Sequence, residues 1–223
     1  MRVDVFTRAE LDDALTAAEL RELHLLGYQG PRADEWVAAR AAAHRVLGLV
    51  DVLTEADGAP RVANGVLSLS HDGHWVAVAL APSGRVAVDL CARTNRERCA
   101  KVLHRLGVYG DPCMSWAGLE CALKLRRRGV WTLLPDSSSI DSRGENVAAG
   151  QHGLGAVSVE PRGAGAIVRG IGDDVAVSWR SGDGYALAWA HEAQLVVERK
   201  PAIKAAARSA ALRGARAHRA RLG

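Results

Sequence analysis

Apolar positions along this chain follow two different repeats, and the changes between them mark its elements. Residues 2–6 predict a short strand. Thr16-Ala-Ala-Glu19 is a capping box that opens a helix ending near Gly27. A second helix is predicted over residues 33–47, with Asp34 as its cap and Gly48 after its end. Residues 66–70, 75–80 and 85–91 read as a three-strand meander, with Asp72-Gly73 and Ser83-Gly84 supplying the turns. These strands alternate poorly between apolar and polar residues, which predicts cover on both faces. Helical spacing returns over 95–106 through Cys99, Val102, Leu103 and Leu106, and Gly107 stops it. Asp111-Pro112 is a cap followed by Pro at the first helical position. The helix it opens is expected to reach Arg128 and end at Gly129, with Met114, Gly118, Cys121 and Leu125 as its core stripe.

Residues 135–155 are rich in Ser, Gly and Asp and predict a long loop. Strands are expected at 155–160, 175–179 and 185–191. Residues 200–223 are Ala/Arg-rich and helix-prone without a clear apolar face, as in a solvated helix or a frayed tail. The order of elements predicts an α+β, pseudo-duplicated fold, each half a small antiparallel sheet packed with helices. The halves are drawn at 1–84 and 85–198, followed by a basic tail at 199–223.

Composition narrows the class. With 48% apolar residues the chain is globular. No apolar run nears the roughly 18–20 residues that span a membrane. Arg2 and Asp4 interrupt the first apolar stretch, which is unlike a secretory signal, so a cytoplasmic location is expected. The four cysteines, at 91, 99, 113 and 121, form no Cys-x-x-Cys pair and read as buried free thiols. The net charge of +4 is misleading, because residues 199–223 hold eight Lys and Arg and no acid. Residues 1–198 are therefore net negative, which argues against nucleic acid as the partner of the body.

Two segments carry the candidate chemistry. Val86-Ala-Val-Asp-Leu-Cys91 reads as a buried strand ending on a carboxylate, and Trp116-Ala-Gly-Leu-Glu-Cys-Ala-Leu-Lys124 as a helix. Trp116, Glu120 and Lys124 are four residues apart and line one face of it. If that face meets Asp89, two carboxylates and an ammonium converge. Such a site suits a hard divalent cation on a phosphate and the movement of a proton. Taken singly, the Glu120/Lys124 pair reads as a surface salt bridge and Asp89 as a turn or cap residue.

Taken in order, these segments resemble a 4′-phosphopantetheinyl transferase of the larger, pseudodimeric type. Asp-Gly-Ala-Pro at 57–60 is similar to the family's Gly-x-Pro turn, and Ser68-Leu-Ser-His71 to its Ser-x-Ser-His motif. Val86 to Cys91 is similar to Val-Gly-Val-Asp-x-Glu, and Trp116 to Lys124 to Trp-x-x-Lys-Glu-Ala-x-x-Lys. Leu15-Thr-Ala-Ala-Glu19, Ala39-Arg40 and Gly184-Tyr-Ala-Leu-Ala-Trp complete a likeness that covers roughly residues 15–191. The resemblance implies a monomer that moves the phosphopantetheine arm of coenzyme A onto a serine of an acyl or peptidyl carrier protein, with Mg2+. It implies Asp89 and Glu120 as metal ligands, and Glu120 and Lys124 as the catalytic base and leaving-group partner. It also implies Arg40, Ser70 and His71, with His44 and Arg45, as the phosphate grip.

The chain departs from the pattern at four places. Cys91 replaces a second carboxylate, on the strand face it shares with Asp89 and so expected to point at the metal. Leu119 replaces the Lys before the Glu, His44 stands where an Arg is usual, and Ala87 replaces a Gly. These changes leave a second expectation open: a repurposed homologue that binds coenzyme A or a carrier-bound intermediate without transferring the arm.

Overall fold

A computed structural model describes residues 1–129, 133 and 156–193. The loop expected at 135–155 and the basic tail at 199–223 lie outside the described residues. Among the described residues the fold is mixed α+β, with antiparallel sheets and four α-helices.

The first strand, β1 (Arg2–Thr7), leads into α1 (Ala17–Leu26), and both signals read for that helix are in place. Thr16 Oγ accepts the Glu19 N–H at 3.2 Å, and Glu19 Oε2 accepts the Thr16 N–H at 2.8 Å. Gly27 closes the helix with φ 63°. The next helix, α2 (Pro31–Leu47), starts two residues earlier than expected. Pro31 has its φ pre-set for a helix and lacks the N–H that would go unpaired there, so it takes the first position. Asp34 lies in the first turn and is not the cap.

A two-residue ladder of β2 (Leu53–Thr54) and β3 (Pro60–Arg61) follows, too short to leave a repeat in the sequence. Then β4 (Val66–Asp72) and β5 (Trp75–Ala81) form the expected hairpin, and β1 adds to β5 to give a three-stranded sheet in the order β1-β5-β4. The third strand of the expected meander goes elsewhere. β6 (Arg85–Ala92) pairs with β10 (Tyr185–Glu192) and edges a five-stranded sheet. The other members of that sheet are β7 (Ser158–Arg162), β8 (Gly165–Arg169) and β9 (Val175–Gly182), in the order β6-β10-β9-β8-β7. β8 was not anticipated, and β7 begins three residues later than the strand expected at 155–160.

Side chains bind β6 to β4. Val88 N–H donates to Ser68 Oγ at 3.1 Å, Leu90 N–H to Ser70 Oγ at 3.1 Å, and Ala92 N–H to Asp72 Oδ2 at 2.7 Å. Alternate residues on both strands advance in step, so β4 and β6 run side by side in the same direction. Buried N–H groups need acceptors, and here hydroxyls and a carboxylate replace the carbonyls of a normal ladder. The Ser-x-Ser-x-Asp spacing in β4 is the sequence form of this arrangement.

Helices cover the two larger sheets. Ala38, Ala42 and Ala43 of α2 pack on Leu67, Val76 and Val78. The opposite face of β5, at Ala77 and Ala79, meets Val88, Leu90 and Leu187 of the second sheet. The far side of that sheet packs on α3 (Arg96–Arg105) and α4 (Pro112–Leu125). Both faces of β5 and β6 are thus covered, as their weak alternation predicts. Asp111 caps α4 by accepting the Met114 N–H at 2.9 Å. α4 ends before Gly129, because Arg127 adopts φ 56° and the Arg128 N–H returns to the Leu123 carbonyl at 2.9 Å. No described helix is long and apolar enough to cross a membrane.

Candidate functional site

The strand seam and α4 meet at a cavity of about 350 Å³, lined by Ser70, His71, Asp89, Trp116, Glu120 and Lys124 among others. Residues from three motif segments therefore share one wall. Asp89 stands on β6 with its side chain 8% exposed. Its Oδ1 accepts from Ser70 Oγ at 3.0 Å and from Lys124 Nζ at 2.6 Å. Lys124 also donates to the Leu69 carbonyl at 3.5 Å and the Val88 carbonyl at 3.3 Å, one on each side of the seam. An ammonium has three protons, and all three have acceptors here. Lys124 is therefore a clasp between β4 and β6 as well as the counter-ion of Asp89.

Glu120, one helical turn before Lys124, differs. Its carboxylate accepts no hydrogen bond among the described residues. Burial, then the nearby Asp89 charge, pushes its pKa up from 4.5 to about 7, against the pull of Lys124. A carboxyl poised near neutrality and open to a cavity is equipped to take or give a proton at physiological pH. Burial also raises Asp89, opposed by the Lys124 ammonium. Burial works against the charge on Lys124, but its two carboxylate neighbours outweigh that and hold its pKa up.

His71 is the hinge between this cavity and a second one of about 460 Å³ that also holds Arg40, Trp36, Tyr28 and Arg32. Burial, with the charges of Lys124 and Arg8, holds the imidazole below its usual range against Glu35, whose Oε2 lies 3.8 Å from Nδ1. The Arg40 guanidinium stacks on the Trp36 ring at 3.8 Å and donates to the Val52 carbonyl and to Thr54 Oγ1, at 3.3 and 2.7 Å. Its burial lowers its pKa to about 10, so it remains charged at neutral pH. Arg32 lies over the Tyr28 ring at 4.1 Å. Sequence reasoning missed Arg32, Trp36 and Tyr28. The signal was available, since Arg32, Trp36 and Arg40 repeat the four-residue spacing of Trp116, Glu120 and Lys124.

Three expected placements need correction, those of His44, Arg45 and Cys91, whereas Ser70 lies at the cavity as expected. His44 is turned into a structural knot: its Nε2 meets Glu19 Oε1 and the Val50 carbonyl, both at 3.0 Å, and its Nδ1 meets the Ala14 carbonyl at 3.0 Å. Arg45 is exposed on the last turn of α2 and lines neither cavity. Ser70 reaches the cavity, but its hydroxyl is committed to Asp89 and to the Leu90 N–H. Cys91 shares the Asp89 face yet does not line the cavity. Its Sγ lies 3.5 Å from Cys99 Sγ in the apolar cluster beneath α3. Hydrogen bonding to Cys99, then burial, raises that thiol far above its usual range, whereas a metal ligand must be a thiolate.

Two protein oxygen donors remain for a metal: the Glu120 carboxylate, and Asp89 through the oxygen that Ser70 and Lys124 leave unengaged. Carboxylate oxygens are the donor type a hard cation takes, with its other places left to water and phosphate oxygens. Among the described residues no group of three or more His, Cys, Asp or Glu is placed to hold a metal ion. Set against models of known protein families and against curated proteins, the chain matches none.

Proposed function

We propose that this chain transfers the 4′-phosphopantetheine arm of coenzyme A to a serine hydroxyl of an acyl or peptidyl carrier protein. One observation carries the reading: segments far apart in sequence bring Ser70, His71, Asp89, Glu120 and Lys124 to one cavity, with Arg40 across His71 in the next. In this reading Arg40 and His71 hold the 3′-phosphate, Arg40 through a charge-assisted contact. Glu120 accepts the proton of the carrier serine. The serine oxygen then bonds to the phosphorus bearing the pantetheine arm, the bond from that phosphorus to the bridging oxygen breaks, and 3′,5′-ADP departs. Lys124 faces the charge that develops on the leaving group. Asp89 and Glu120 would hold Mg2+, which when bound neutralises charge on the phosphate oxygens. The fold belonging to this reading is two like halves, 1–84 and 85–198, each a small antiparallel sheet packed with helices.

A second reading is favoured by position 91. With its thiol packed in the core, the chain offers two carboxylates where the resembled pattern has three. A repurposed protein would bind coenzyme A and transfer nothing. The deciding experiment is intact-mass analysis of apo-carrier proteins after incubation with the full chain, coenzyme A and Mg2+. Transfer adds about 340 Da, one phosphopantetheine group on a serine. Coenzyme A binding without that gain on any carrier supports the second reading. Absence of both sinks the two together.

A further inference from the structure

Three of the four cysteines gather behind one wall of the Asp89/Glu120 cavity. Cys91 comes from β6, Cys99 from the first half of α3 and Cys113 from the first turn of α4, and all are buried free thiols. The Cys91 and Cys99 sulfurs are 3.5 Å apart, which is contact distance. Cys91 and Cys113 both aim at the Ala92 carbonyl, at 3.6 and 3.8 Å. Cys99 lines the cavity, whereas Cys91 and Cys113 do not. A small molecule in the cavity therefore reaches Cys99 first, with Cys91 directly behind it. Cys121 stands apart, donating to the Ala87 carbonyl at 3.6 Å.

The transfer chemistry uses none of these thiols. We propose that Cys99 and Cys91 are an oxidisable pair, which a hydroperoxide entering the cavity converts to a disulfide, Cys99 reacting first and Cys91 resolving. The Cys99 sulfur attacks one peroxide oxygen and the O–O bond breaks. Cys99 becomes a sulfenic acid, and hydrogen peroxide yields one water. The Cys91 sulfur then attacks the Cys99 sulfur, the S–O bond breaks, and the hydroxyl leaves with the Cys91 proton as a second water. Two thiols and one peroxide give one disulfide and two waters. The sulfur pair loses the two electrons that the peroxide gains.

Closing from 3.5 Å to the roughly 2.05 Å of a disulfide requires part of the chain to yield. β6 is fixed on one edge by β10 and on the other by Ser68, Ser70 and Asp72. In α3 only Cys99 and Leu103 are buried, and Asn95 and Arg96 hold its start to Asp72 and Asp111, so the helix is the less anchored of the two elements. It carries Arg98 and Val102, two further walls of the cavity. Oxidation of the pair therefore reshapes the pocket in which Asp89 and Glu120 work.

The test uses the native full-length chain treated with hydrogen peroxide, alkylated, and digested with trypsin without reduction. Cleavage after Arg93, Arg96 and Arg98 puts Cys91 and Cys99 on separate peptides. The expected product is a linked pair about 2 Da lighter than the two reduced peptides together, which dithiothreitol separates. In Cys91→Ala, Cys99 should stop at the sulfenic acid and be trapped by dimedone. In Cys99→Ala, Cys91 should resist peroxide. Should either variant fail to fold, the identity of the wild-type link still decides. A wild-type link from Cys91 to Cys113, or oxidation that reaches sulfonic acid at Cys99 with no link, would overturn the proposal.

Discussion

In the α1–α2 region the fully buried acid, Glu19, is locked to partners. Glu19 has no exposed surface, and its carboxylate accepts the Val52 N–H at 2.9 Å, the Thr16 N–H at 2.8 Å and the His44 ring at 3.0 Å. On the α4 side, Glu120 lies partly buried near the charges of Asp89 and Lys124 and accepts no hydrogen bond among the described residues. The first acid ties a helix end to the loop at Val52 and gives up its chemistry in doing so. The second meets the charges of Asp89 and Lys124 without a hydrogen bond among the described residues, which leaves its oxygens facing the cavity. A buried acid whose partners are all built in is scaffold; one whose partner must arrive is a candidate for function.

The sharpest way to break this contrast is to create a third kind of acid, one with neither partner nor cavity. Cys91→Glu would do so. The side chain at 91 is 1% exposed among Cys99, Leu103 and Cys113. An unpaired carboxylate there should cost on the order of 4 kcal/mol or more, or prevent folding. Urea denaturation is the check, with Cys91→Ala as the small-volume control. A well-folded Cys91→Glu protein with tighter Mg2+ binding would put position 91 back in the metal site.

Next in size is Glu19→Ala. It leaves the Val52 and Thr16 N–H groups without their acceptor and takes from His44 Nε2 one of its two partners, the Val50 carbonyl remaining, and should cost about 3 kcal/mol. His44→Ala should cost less, since the Val52 and Thr16 bonds survive. Equal losses would mean that the knot is held by His44 and not by the acid.

The legible part of this structure was the local part. Caps and stops at Thr16, Gly27, Gly107 and Asp111 act through neighbours within a few residues, so their signals lie in short windows of sequence. The line of Trp116, Glu120 and Lys124 followed from helical spacing alone. What escaped depended on distant residues. Nothing near β6 says that its partners are the serines of β4 and the far strand β10, so an expected meander became the seam between two sheets. Cys91 lies on the same strand face as Asp89, as alternation requires. Alternation does not reveal that α3 covers that face two residues along, which turns a position expected to point at the metal into core. His44 was assigned by its place in a motif, whereas Glu19, 25 residues upstream, decides what it does.

Removing the acid with no partner should have the opposite sign. The folded-state pKa of Glu120 is about 7, against an ordinary 4.5. As pH rises, the unfolded chain releases this proton first. Between about pH 4.5 and 7 ionisation therefore favours the unfolded state, and stability falls across that window. Glu120→Gln removes the penalty. It should stabilise the protein at pH 8 by roughly 2 kcal/mol, allowing for solvent in the cavity, and change little at pH 4.5. Thermal melts of both proteins at the two pH values test it. Destabilisation at pH 8 would show that Glu120 has a structural partner after all.

The smallest expected effect bears most directly on what Glu120 is for. A divalent cation between Asp89 and Glu120 would stabilise the ionised carboxylate, lower its pKa and convert the penalty into a gain. Mg2+ at about ten times its dissociation constant would add about 1.4 kcal/mol to stability. Because protons compete for the same oxygens, the gain should be full at pH 8 and shrink as pH falls through 7. Glu120→Gln should lose most of it, and so should Asp89→Asn, although that variant also loosens the Lys124 clasp and will melt lower without metal. Na+ at matched ionic strength controls for screening. If Mg2+ raises the melting temperature equally in wild type and Glu120→Gln, the cation binds elsewhere. Glu120 would then be a proton carrier without a metal, and the contrast with Glu19 would rest on proton transfer alone.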